Sequence, residues 1–208
     1  MVPADRKRLF IDRKSGKREI VEIVKWAAND NYDALVFPLG KKLTEKTGYI
    51  KLAKRYDLLI EGGGCDFSLL VPKRLFFFHR DLFRMEHGRR KPYPHFCPTN
   101  PETISIITEN AANLFAAYLP LVSVPRVFHL FPEKGRENIW CACPACRAFS
   151  PAEQNMIVVN SAADALAKLD PDARLSFLDL GAGAETLQSH AVMPRENMFG
   201  TVRQESDG

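Results

Sequence analysis

The stretch VFHLFPEKGRENIWCACPACR, residues 127–147, decides how the rest of the chain is read. Its first residues, Val127 to Phe131, are apolar apart from His129 and have the length of a buried strand. A polar loop follows with two carboxylates, Glu133 and Glu137, and ends in the thiols Cys141, Cys143 and Cys146. In parallel α/β folds, chemistry collects in loops leaving the carboxyl ends of strands, because the strand anchors the loop's root while the loop sequence is free to vary. This loop is therefore the expected site, and the flanking sequence is its scaffold.

Outward from it, the same unit repeats on both sides. Downstream, Ser150-Pro151-Ala152-Glu153 has the form of a capping box and predicts a helix start. Met156, Val159, Ala163 and Leu166 give that helix a buried stripe, Asp170-Pro171 stops it, and a strand follows from Leu175 to Leu178. Upstream, Asn100-Pro101-Glu102 opens a helix whose apolar series is Ile104, Ile107, Ala111, Leu114 and Tyr118, and Pro120 closes it. Nearer the start, a strand is expected from Leu9 to Asp12. A helix then runs from Lys17 to Asn29, with Ile20, Ile23, Val24 and Ala27 on one stripe. Ala34 to Phe37 is a second strand, Leu43 to Tyr56 a helix, and Leu58 to Ile60 a third strand leading into Glu61-Gly62-Gly63-Gly64.

The glycine triplet lacks the spacing of a dinucleotide fingerprint, so its expected role is to let backbone approach backbone or ligand closely. Residues 65–98, rich in Phe, Arg and His, form a long excursion without periodicity, of a size that usually carries function or an added subdomain. Strand and helix otherwise alternate with short connections. This is an α/β pattern of right-handed β-α-β units around a parallel sheet, over residues 1–180. Such a pattern fits either a small open domain or the front part of a barrel. Residues 181–208 have no helical stripe and are expected to be an irregular, disordered tail.

Composition narrows the partners. The chain of 208 residues carries 29 basic and 25 acidic groups, a net charge of +4 that is too mild to call for nucleic acid. Its apolar runs fall far short of the roughly 20 residues a membrane span needs, and the start has no signal-peptide core. No membrane partner and a cytoplasmic location are therefore expected. Without an export signal, the 5 cysteines point to thiols or metal ligands and away from a disulfide framework. Cys141, Cys143 and Cys146, joined by Cys97 from the excursion, would complete a tetrahedral structural zinc site, with His95 in reserve; free buried thiols are the alternative, and Cys65 stands apart.

Three segments, FFFHRDLFRMEHGRRKPYPHFCPTNPETI, FHLFPEKGRENIWCACPACRAFSPAEQ and VNSAADALAKLDPDARLSFL, together resemble the bacterial family called domain of unknown function 4838. That resemblance implies a glycoside-hydrolase-like (β/α) barrel: here a partial TIM-type barrel of about five strands, with a long insertion after strand 3. It implies carbohydrate as the partner, with hydrolysis of a glycosidic bond or sugar binding as the activity. The alternative is a non-catalytic carbohydrate-binding or structural remnant. The run Pro194 to Phe199 looks like the approach to a sixth strand, so the chain reads as truncated.

The resemblance also implies a catalytic acid just past the fourth strand, which selects Glu133. Glycosidases commonly use a second carboxylate, for which Glu137 is the near candidate and Glu61 the distant one. His129 and Phe131, two and four residues before Glu133, would share its face if the strand extends that far. His79 and Asn100 are candidates for hydrogen bonds to sugar hydroxyls, although Asn100 already serves as a helix cap. Trp140 and the phenylalanines near 76–78 are candidates for stacking on a sugar ring.

Overall fold

The computed structural model describes residues 6–12, 15–40, 43–64, 67–179 and 192–201. Its centre is a parallel sheet of six strands in the order β1-β2-β3-β6-β7-β8. These are β1 (Arg8–Phe10), β2 (Ala34–Phe37), β3 (Leu59–Gly64), β6 (Val127–Leu130), β7 (Arg174–Leu178) and β8 (Met198–Thr201). The helices α1 (Lys17–Asn29), α2 (Leu43–Arg55), α4 (Pro101–Tyr118) and α5 (Pro151–Leu169) connect them. The excursion contributes a short helix α3 (Phe67–Leu70), two 3-10 turns, and a hairpin of β4 (Met85–Glu86) and β5 (Arg89–Arg90). The chain is thus an α/β protein built as a partial TIM-type barrel, a curled parallel sheet with helices outside and an insertion after its third strand.

Paired residues in a parallel ladder point to the same side, so the register assigns the faces. Arg8 pairs with Ala34, Val36 with Glu61, Gly63 with His129, His129 with Ser176, and Ser176 with Phe199, which together define the inner face. The opposite face is apolar and lies under the helices. There Leu35, Phe37 and Ile60 pack against Val24, Ala27, Ile50 and Ala53. Phe128, Leu130 and Leu175 pack against Ile107, Phe115, Val158 and Leu166. The curl is tight enough that the Arg8 guanidinium, on one edge strand, lies 5.6 Å from the ring of Phe199 on the other.

Local signals account for the helix starts. Asn100 accepts from the backbone N–H groups of Glu102 and Thr103, and Ser150 and Glu153 close a reciprocal capping box. Three expectations are corrected. The first strand is Arg8–Phe10 instead of Leu9 to Asp12. The third does not stop at Ile60 but runs to Gly64, taking the glycines into the sheet. A sixth strand, Met198–Thr201, pairs with β7 inside the region expected to be irregular tail; residues 181–191 and 202–208 of that tail, and Cys65, lie outside the described residues. Among the described residues no helix is long and apolar enough to cross a membrane.

The glycines enter β3 for a steric reason. A Cβ on Gly63 would sit 1.9 Å from the carbonyl oxygen of His129 on β6, so no other residue fits without moving a strand. In the hairpin, His87 and Gly88 both take positive φ, 46° and 74°, the conformation of a two-residue turn whose twist matches its strands.

Candidate functional site

The residues singled out from the sequence fall into three groups. The first lies on the inner face of the sheet. Glu61 is 1% exposed and accepts three hydrogen bonds, from Arg6 at 2.8 Å, Arg8 at 2.7 Å and His129 Nε2 at 2.7 Å. Burial raises the Glu61 carboxyl, but the hydrogen bond and charge of His129, with Arg8 and Arg6, more than reverse this and lower its pKa to about 2. His129, wholly buried, is lowered from its usual value by desolvation. At neutral pH the group is therefore a carboxylate held by two guanidinium groups, with a neutral imidazole donating from Nε2. Phe10 and Phe131 close around the His129 ring at 5.1 and 5.8 Å. Glu61 and His129 are thus spent on one another and on the arginines, within the barrel interior.

The second group is at the rim. Beyond β6 the chain turns, and Glu133 lines a small cleft with Lys73, Tyr93, His95 and Phe96 from the excursion, together with Phe67. The cleft is shallow, with a cavity volume of about 20 Å³, room for about one water. Lys73 and Arg136 both lie over the Tyr93 ring, at 3.7 and 5.2 Å. Burial, and then the charge of Glu133, raise the Tyr93 phenol. The His95 ring is stacked on Trp140 at 4.6 Å and shares a 3.0 Å hydrogen bond with the Arg136 carbonyl oxygen, and burial lowers its pKa to about 4.

The other candidate residues have local partners. Glu137 Oε1 accepts from the Gly135 N–H, and the Glu137 carbonyl accepts from the Trp140 indole N–H at 2.7 Å, so this residue closes the loop. Trp140 is buried, with His95 on one face. Asn100 caps α4 through its oxygen and donates to Asp81 through its nitrogen at 2.9 Å. His79 is exposed, 3.6 Å from Glu102. The strand stops at Leu130, and Glu133 and His129 serve different groups: one faces the excursion, the other the interior.

The third group is the sulfur cluster. Cys97, Cys141, Cys143 and Cys146 are all buried, and their sulfur atoms lie within 4.8 Å of one another. Cys97 Sγ is 3.7 Å from Cys143 Sγ and 3.6 Å from Cys146 Sγ. Zinc–thiolate bonds of about 2.3 Å in a tetrahedron require sulfurs about 3.8 Å apart, so the four residues fit a metal ion. The backbone N–H of Met85 and the hydroxyl of Thr99 approach Cys141 Sγ and Cys146 Sγ at 3.2 and 3.1 Å, which suits ligands carrying negative charge. Hydrogen bonds from Cys141 and Cys146 lower Cys97, whereas those with Cys141 and Cys97 raise Cys146, so without a cation the thiols do not ionise together.

Sequence reasoning named the thiols, Glu133, Glu61 and His129, but not Arg6, Arg8, Lys73, Tyr93 or Gln154. Gln154 is buried in the first turns of α5. Its amide bonds the backbone of Cys141 in both directions and also the carbonyls of Cys146 and Phe149. Its place beside the capping box, where a polar residue looks solvent-facing, hid this role.

A curled parallel sheet with helices outside and loops at its carboxyl-end rim defines a fold of the (β/α)-barrel type. Its neighbours among solved structures are barrels of glycoside hydrolases. The tandem GH20 catalytic modules of the pneumococcal exo-β-D-N-acetylglucosaminidase superpose with a TM-score of 0.67 at 12% identity, over 95% of this chain and 59% of theirs. The GH20 β-N-acetylhexosaminidase from Streptomyces coelicolor gives 0.55 at 12% identity, over 93% and 41%. The cold-adapted β-galactosidase from Rahnella sp. R3 gives 0.56 at 9% identity, over 83% and 35%. The chain therefore spans well under two thirds of these proteins. No family model and no curated protein matches it, so these neighbours support the fold while the family named from the motifs stays a resemblance.

Proposed function

We propose that this chain is a carbohydrate-active barrel portion that takes a sugar at the rim cleft beside β6, with Glu133 as the group that hydrogen-bonds the sugar or donates a proton to the glycosidic oxygen. The observation that carries the reading is the setting of Glu133. It leaves the fourth strand of a glycoside-hydrolase-type sheet and opens onto a cleft walled by Lys73, Tyr93 and His95. A carboxylate, an ammonium and a phenol are groups that hold sugar hydroxyls, and a ring would rest across the mouth of this shallow cleft.

Sugar binding without turnover is the second reading, and it too has an observation behind it. Glycosidic hydrolysis by acid and base or nucleophile uses two carboxylates. Among the described residues that line the cleft, Glu133 is the only one, while Glu61 and Glu137 are engaged elsewhere. The four cysteines hold a structural zinc ion in this proposal, and a reducing, cytoplasmic setting keeps them as ligands.

Titration with N-acetylglucosamine and galactose oligosaccharides, followed by calorimetry, tests the site. Binding that weakens at least tenfold in Glu133→Gln, about 1.4 kcal/mol, is expected. Release of nitrophenol from the matching aryl glycosides, lost in the same variant, selects hydrolysis; binding alone selects the second reading. No affinity for either sugar series overturns the proposal.

A further inference from the structure

The sulfur cluster and the rim cleft share their walls. We propose that zinc bound by Cys97, Cys141, Cys143 and Cys146 is a latch that holds the Glu133 cleft in shape, so that sugar binding depends on a metal that never touches the sugar. This rests on the zinc reading above. Tyr93 and His95 line the cleft four and two residues before Cys97, while Trp140, on which His95 is stacked at 4.6 Å, immediately precedes Cys141. Each wall is therefore anchored within a few residues of a metal ligand. The two ligand segments are far apart in sequence, and a shared ion fixes their separation.

The hairpin of the excursion is part of the same device. Ala142 N–H donates to the Met85 carbonyl at 2.8 Å, and Met85 N–H approaches Cys141 Sγ at 3.2 Å, so the hairpin is clipped to the thiol loop from both directions. Arg90, from the same hairpin, donates to the Phe83 carbonyl at 2.6 Å and places its guanidinium 3.9 Å from Cys141 Sγ. Zinc with four thiolates carries a surplus of negative charge, and Arg90 offsets it. It is a positioning residue for the metal through that charge. Phe83 also lines the cleft, which joins the hairpin's anchor to the sugar site.

The test uses the full chain in a Trp26→Phe background, leaving Trp140 as the single indole. Elemental analysis is expected to give stoichiometric zinc. Stripping the metal with a chelator is expected to shift Trp140 emission to the red, to speed hydrogen exchange at residues 93–97 and 139–142, and to weaken sugar binding, with all three restored by added zinc. Arg90→Gln is expected to hold zinc roughly tenfold more weakly while still folding. Stoichiometric zinc whose removal leaves Trp140 emission and those amides unchanged overturns the latch and leaves the metal site standing. A chain that binds no zinc overturns both. Because emission and exchange do not require a sugar, the latch is judged even if the Glu133 reading fails.

Discussion

Glu61 shows how a residue chosen for chemistry can serve the fold. Its carboxylate neutralises Arg6 and Arg8 inside the sheet and receives the Nε2 proton of His129, and all four groups are largely withdrawn from water. Removing one member of a buried charged group leaves the others unpaired, which costs more than the group contributes when intact. Glu61→Gln is therefore expected to destabilise the chain by about 3 kcal/mol at pH 7, measured by urea unfolding. Its pH dependence follows from the same contacts. The native carboxyl titrates near 2 against 4.5 when free, so its stabilisation is complete above pH 4.5 and is lost as pH falls toward 2. His129 is held neutral by burial, so the unfolded chain gains protons first as pH falls below about 6.5, and stability declines from there. Wild type should lose stability in both stages, and Glu61→Gln should lack the lower one.

At the scale of elements, the two kinds of glycine in this chain differ in what surrounds them. Gly63 is pressed against the His129 carbonyl and has φ of +128°, whereas Gly48, exposed on α2, has nothing within 4 Å of where a Cβ would be. Gly63→Ala must separate β3 from β6 and is expected to prevent folding. Gly48→Ala should raise stability by about 0.5–1 kcal/mol by lowering the entropy of the unfolded chain without strain. Thermal melts of the two variants beside wild type check both. The stripe of α4 shows a limit of periodicity: Phe115 is buried where Leu114 is expected. The two residues lie about 100° apart and flank the stripe of Ile107, Ala111 and Tyr118, and Phe115 packs on the ring of Phe128, 4.9 Å away.

Across the whole molecule, a sheet in the order β1-β2-β3-β6-β7-β8 has two strands paired on one side only, β1 and β8. Central strands open only when the whole sheet does, whereas edges fray locally. Hydrogen exchange should accordingly be slowest in β3 and β6 and fastest in β1 and β8; equal protection across all six would show that the edges are covered. The inner face adds to this asymmetry, since its side chains form one charged and aromatic layer reaching from Arg8 to Phe199. A closed barrel of this type has eight strands, and the described residues supply six.

Features that depend on near neighbours along the chain are legible in the amino-acid order. The caps at Asn100 and Ser150, the helices of α1 and α5, the parallel alternation and the thiol spacing all follow from local steric, hydrogen-bonding and periodic rules. Contacts that depend on strands packing over one another emerge with the folded sheet. That sheet turned Glu133 toward the excursion and set Glu61 between two arginines and His129. A side chain's partner across a sheet is chosen by register and curl, and these are set by the packing of every strand together.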